Sequence, residues 1–127
     1  MAKKIIKTDK APAPIGPYNQ AVLAGNLLFI SGQIALIPGT SDLNNSTIET
    51  ETKQVMENLS AILSSASATF SHVVKTTIFL SDMNLFTQVN EVYGQYFETE
   101  FPARETVAVK GLPRGVNVEI SMTALKG

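Results

Sequence analysis

The chain has 127 residues, of which 44% are apolar, and a formal net charge of −1. That length and apolar content fit a single domain over residues 1–127 with its own core, and exclude a disordered chain. With no cysteine and a single histidine, His72, disulfides, thiolate nucleophiles and multi-histidine metal sites within one chain are excluded.

Other absences set further expectations. No basic run exceeds Lys3-Lys4, so nothing suggests an electrostatic footprint for nucleic acid. No apolar segment approaches membrane-spanning length, and the N-terminus lacks the apolar core of a signal peptide. A soluble, cytoplasmic protein is expected, with no nucleic-acid or membrane partner.

In chain order, residues 3–7 read as a short first strand. Ala11 to Pro17 follows as a stiff, extended arm, because three prolines fix φ and bias their neighbours away from helix. The arm ends on Tyr18. Gln20 to Ala24 and Leu27 to Ser31 are apolar runs separated by Gly25-Asn26, the signal for a tight hairpin. The second run ends in Ser31-Gly32-Gln33, where the glycine marks either a bulge or a close approach of backbone to a ligand. Residues 37–47 form a polar loop.

Ser46 with Glu49 fits a capping box. After it Val55, Met56, Leu59, Ile62, Leu63 and Ala66 repeat at helical spacing, predicting a helix of roughly 15–18 residues with Met56 as core filler. His72 reads as an edge or surface histidine. Val73 to Leu80 is a β-rich run. Ser81 to Asn84 is a turn able to cap a second helix carrying Leu85, Phe86, Val89, Val92, Tyr93, Tyr96 and Phe97, with Asn90 at the margin of the stripe. Phe101-Pro102 ends that helix.

From Pro102 to Glu119 two β-type runs flank a turn rich in Gly and Pro, the pattern of paired strands joined by a loop. The second run alternates, with Val116, Val118, Ile120 and Met122 on one face and Asn117, Glu119, Ser121 and Thr123 on the other. Glu119 therefore reads as mid-strand on a polar face, where it needs water or a partner. A solvated sheet face is the plainer reading from composition alone. Two amphipathic helices and five or six strands predict an α+β sandwich with both helices on one sheet face, leaving the other face to water or to association.

Several blocks carry a family resemblance. Pro102-Ala103-Arg104, the Leu112-Pro113-Arg114 turn and Val118-Glu119-Ile120 resemble the C-terminal signature of the RidA/YjgF family, the reactive intermediate deaminases. Gly16-Pro17-Tyr18, Ser31-Gly32-Gln33, Val74 to Met83 and Val89 to Tyr93 resemble further blocks of that family, in family order and over nearly the whole chain. The resemblance implies a chorismate-mutase-like fold assembled as a homotrimer, with the sheets forming an inner barrel and sites in clefts between subunits. It also implies hydrolysis of 2-imino or 2-enamino acids to 2-oxo acids and ammonia, with no cofactor and no metal.

On that resemblance, Arg104 holds the substrate carboxylate through a bidentate fork and Glu119 manages the attacking water. Tyr18, Ser31, Gly32, Asn90 and Thr106 line the pocket. Three departures stand out. Glu105 follows the arginine where many members have serine, Thr106 occupies a position often held by cysteine, and the segment 93–101 is shorter than in bacterial members. A different class of function, a metabolite-binding, regulatory or chaperone-like trimer with little turnover or a ribonuclease-type member, is the alternative.

Overall fold

Gly25 takes a positive φ of 62° and closes a two-residue turn between β2 (Ala21–Ala24) and β3 (Leu27–Gln33), as the Gly-Asn pair predicts. In this computed structural model, which describes residues 2–126, β1 (Lys4–Ile6) pairs antiparallel with β2 and extends the hairpin by one strand. The remaining strands are β4 (Val73–Leu80), β5 (Ala103–Ala108) and β6 (Val118–Leu125), and the six form one sheet in the order β1-β2-β3-β6-β4-β5. All pairings are antiparallel except β4 with β5, which the helical crossover between them makes parallel.

Helix α1 (Ile48–Ser65) packs on β3 and β6 and lies beside α2 (Phe86–Gly94). Its predicted stripe is its buried face. Val55, Met56, Leu59, Ile62 and Leu63 meet Leu28 and Ile30 of β3, Ile78 and Leu80 of β4, and Val118, Ile120, Met122 and Ala124 of β6 in a single core. Each large aliphatic side chain buried there contributes about 1.5–3 kcal/mol. The opposite face of the sheet carries no helix. Phe29, Thr77, Phe79, Val107, Glu119 and Thr123 lie on it, half-buried or exposed.

Four expectations are corrected. The cap of α1 is Thr47, whose hydroxyl accepts from the Thr50 N–H at 3.0 Å, because the helix starts at Ile48 and Thr50 is then the residue within reach. The second helix is short. It follows a 3₁₀ turn over Met83–Leu85, capped by Asp82, and ends at Gly94, so Tyr96 and Phe97 lie in the turn beyond it.

The two C-terminal strands are not partners either. β4 lies between them, because β6 buries every second side chain and takes a central place, whereas the more exposed β5 suits an edge. Finally, β6 begins at Val118, so Glu119 stands one residue inside the strand rather than at its middle, and Asn117 is bonded to α1 instead of sharing the polar face.

His72 ends a 3₁₀ turn just before β4. Its Nδ1 accepts from the Thr69 N–H at 3.0 Å, and His72 stands at the strand edge as read from sequence. Among the described residues no helix is long and apolar enough to cross a membrane, and no group of three or more His, Asp or Glu side chains converges as a metal site would.

Candidate functional site

The expected site residues fall into two clusters. The first is on the helix side of the edge strand. Arg104 stands opposite Thr76 in the β4–β5 register, and its guanidinium lies over the rings of two α2 residues, 5.6 Å from the Phe86 centroid and 5.2 Å from that of Tyr93. Nη1 of Arg104 donates to Oδ1 of Asn90 at 2.6 Å. The rings favour the cation through their quadrupoles and the amide fixes one arm of the fork. Tyr93, buried, donates through its hydroxyl to Oγ1 of Thr76 at 3.1 Å; burial pushes its phenol up, opposed by the Thr76 bond and the Arg104 charge. Thr106, two residues beyond Arg104 on the same face, holds a buried hydroxyl with no hydrogen-bond partner.

Glu105 does not compete for Arg104. Strand alternation turns it to the uncovered face, where it accepts from Thr77 Oγ1 at 2.5 Å and pairs with Lys75 Nζ at 3.1 Å. The Thr77 bond, with Lys75 after it, lowers its carboxyl below the ordinary range. Among the described residues no carboxylate forms an ion pair with Arg104, so the guanidinium keeps donors free for an anion from elsewhere.

The second cluster is on the uncovered face. Glu119 pairs with Phe79 in the β4–β6 register, half-buried, and burial raises its carboxyl above the ordinary range. Beside it the β3–β6 ladder slips between Ile30 and Gln33, so Ser31 and Gly32 form a bulge. A Cβ on Gly32 would overlap the Glu119 carboxyl, so a larger residue there would require that side chain to move. Of the two readings of that glycine, the bulge is the one the register shows. Ser31 donates through Oγ to the Asn19 carbonyl at 2.6 Å and through its N–H to the Gln20 carbonyl at 2.9 Å. These bonds bring the end of the proline arm, and with it the half-exposed Tyr18, alongside the bulge. The Tyr18 hydroxyl accepts a long 3.4 Å bond from the Ile15 N–H.

Three contributors escape the sequence reading. Phe86 and Tyr93 appear there only as members of an apolar stripe, although with Asn90 they follow the i, i+4, i+7 spacing that shares one helix face. Gln20 is buried, accepts from the Thr8 N–H at 2.7 Å and donates to the carbonyls of Thr8, Ala11 and Pro12, tying down the arm that carries Tyr18. Nothing in the local sequence marks it. The wider surface grooves lie elsewhere. One of about 570 Å³ runs past Thr8, Lys10, Gln54 and Glu57, and another of about 490 Å³ past Phe70, Tyr96 and Glu98; neither is lined by any expected site residue.

Comparison with known proteins places the chain in a family. The family model described as Endoribonuclease L-PSP matches residues 8–126. The human protein named 2-iminobutanoate/2-iminopropanoate deaminase is 44% identical over 127 residues, covering 100% of this chain and 93% of its own. A putative endoribonuclease of Thermotoga maritima superposes with a TM-score of 0.94 at 49% identity, covering 98% of each chain. The Escherichia coli protein TdcF, solved with bound serine, gives 0.93 at 37% identity over 98% of this chain and 99% of its own. With one family model spanning nearly all of its length and the same fold in its neighbours, the chain belongs to the Endoribonuclease L-PSP family, also called YjgF/RidA.

Proposed function

We propose that the protein is a cofactor-independent deaminase that hydrolyses small 2-imino and 2-enamino acids to 2-oxo acids and ammonia. The observation that carries this reading is Arg104: a half-buried guanidinium, oriented by Asn90 and two rings, with no carboxylate among the described residues to neutralise it. Such a group is a receptor for a planar anion, and the α-carboxylate of a 2-imino acid fits a bidentate fork. The deaminase name of the human relative and the serine bound to TdcF, an amino acid with the same α-carboxylate, support this substrate class.

The reaction needs one further group. An imine is already electrophilic at C2, so the chemical demand is to deliver water and move protons. Glu119 takes a proton as the water oxygen bonds to C2, and the C=N π pair moves onto nitrogen. The proton is passed to that nitrogen, giving the carbinolamine; its hydroxyl proton is then carried to the nitrogen as the C–N bond breaks and the C=O bond forms, so ammonia leaves and the 2-oxo acid remains. An enamine first takes a proton at C3 and gives one up from nitrogen, which makes it the imine. A carboxyl raised by burial suits a group that must both accept and return a proton. Tyr18, Ser31 and the Gly32 backbone line the side of Glu119, and Asn90 and Thr106 the side of Arg104.

Because these two clusters occupy opposite faces of one sheet, the reading requires Arg104 of one chain to meet Glu119 of another, as in a homotrimer whose uncovered sheet faces pack inward. A half-site that a second chain completes is shallow in one chain alone, which is why the wider grooves carry no weight here. The net charge of −1 argues against RNA as the substrate. The test is release of 2-oxo acid when freshly generated 2-aminoacrylate or 2-iminobutanoate is mixed with the protein. A rate no faster than spontaneous hydrolysis overturns the deaminase reading and leaves a binding protein.

A further inference from the structure

We infer that Glu51, buried on the helix side of the sheet, is a positioning residue for Glu119: its carboxyl fixes where β6 enters the sheet, and so where the Glu119 side chain is presented. The role of Glu119 in turnover rests on the deaminase reading; the geometric claim does not.

Glu51 is fully buried in the first turns of α1. No lysine or arginine among the described residues pairs with it. Its oxygens are instead satisfied by the start of β6. Oε2 accepts from the N–H of Asn117 at 2.7 Å and from that of Val118 at 3.1 Å, and Oε1 accepts from Nδ2 of Asn117 at 3.1 Å. The other side of Asn117 is committed to the end of β4: its carbonyl accepts from the Ser81 N–H, and its Oδ1 from the Ser81 hydroxyl, both at 2.9 Å. Every polar group of Asn117 is thus used, half by α1 and half by the residue that follows β4.

The consequence is one of register. The alternation of Val116, Val118 and Ile120 would let the strand continue back through Asn117, yet the ladder stops at Val118, paired with Leu80. The next pair is Glu119 with Phe79. A slip of one residue in β6 would turn Glu119 into the apolar core and its neighbours outward, because side chains alternate with a period of two. The clamp from Glu51 through Asn117 to Ser81 sits directly before the pair that such a slip would disturb. A buried acid with three N–H donors and no cation is an expensive way to fill space, and it contributes a fixed point that an apolar residue cannot.

Two variants test this. Glu51→Gln keeps the shape but offers one acceptor oxygen to three donors, and Ser81→Ala removes a single bond at the far end of the clamp. Both are compared with the parent protein by steady-state kinetics and by ¹³C NMR titration of the Glu119 carboxyl, with circular dichroism to establish folding. For Glu51→Gln we expect kcat to fall about 10- to 100-fold, with KM little changed because Arg104 lies on the other face. The Glu119 titration should move down toward that of an ordinary carboxylate as its burial is lost. Ser81→Ala should shift both in the same direction by less. A folded Glu51→Gln protein with kcat and Glu119 titration unchanged overturns the inference. If Glu51→Gln does not fold, Ser81→Ala decides by the same two readouts. If the parent shows no turnover, the deaminase reading fails, and the Glu119 titration alone decides whether Glu51 positions it.

Discussion

Arg104 and Glu119 stand on opposite faces of the same sheet, Arg104 opposite Thr76 under α2 and Glu119 opposite Phe79 on the face without helices. A small acid cannot touch both groups of one chain. Two chains can supply one each, and for the proposed homotrimer the mass expected in solution is three times 13.7 kDa, about 41 kDa, by light scattering. The same geometry predicts complementation. Arg104→Ala and Glu119→Gln proteins, each inactive, should recover about a quarter of the parent rate per site after being unfolded and refolded together, since random mixing pairs an intact Arg104 with an intact Glu119 that often. A monomeric mass, or no recovery in refolded mixtures, excludes the shared site.

Arg104→Lys keeps the charge and loses the planar fork and its stacking on Phe86 and Tyr93. A fall in kcat/KM of about 10- to 100-fold is expected, or roughly 1.4–2.7 kcal/mol, with the thermal midpoint little changed. An unaltered rate would place the carboxylate receptor elsewhere.

Glu119→Gln keeps the shape beside Gly32 but cannot take a proton. Turnover should fall about 10²–10⁴-fold while calorimetry shows the affinity for an unreactive 2-oxo acid nearly unchanged, because the carboxylate still meets Arg104. In the parent protein the rate should fall with decreasing pH at a higher value than an ordinary carboxylate gives, since burial raises Glu119 and the base must be ionised. The stability consequence has the opposite sign. Glu119 in its protonated form contributes stability that is fully present below the unfolded-state pKa and is lost as pH rises through the raised folded value. Chemical denaturation across that window, parent against Glu119→Gln, measures the difference.

Gly32→Ala places a methyl group where the Glu119 carboxyl lies. We expect the Glu119 side chain to swing away from the bulge and kcat to drop by roughly an order of magnitude or more, as a misplacement of about 1 Å can cause. Thermal stability should change less than activity. Retained kcat in Gly32→Ala would mean that Glu119 acts from a position other than the one beside the bulge.

Local pattern carried most of the elements. The period of two in Val118 to Ala124, the helical period from Val55 to Ala66 and the Gly25-Asn26 turn are each properties of a short stretch, and each gave its element because alternation and turn conformation are set by neighbouring residues. Arg104 and Glu119 also stood out from residue type and family pattern. What local pattern could not decide was which strands are neighbours. Pro102 to Glu119 reads as a hairpin, yet β4 comes between β5 and β6 because burying the apolar face of β6 at the centre of the sheet outweighs the short connection. That one long-range choice puts Arg104 against α2 and Glu119 on the far side. Burial decided the rest: Gln20 and Glu51 are polar side chains whose partners lie 8–12 and 66–67 residues away, and only the folded chain brings those donors and acceptors within reach.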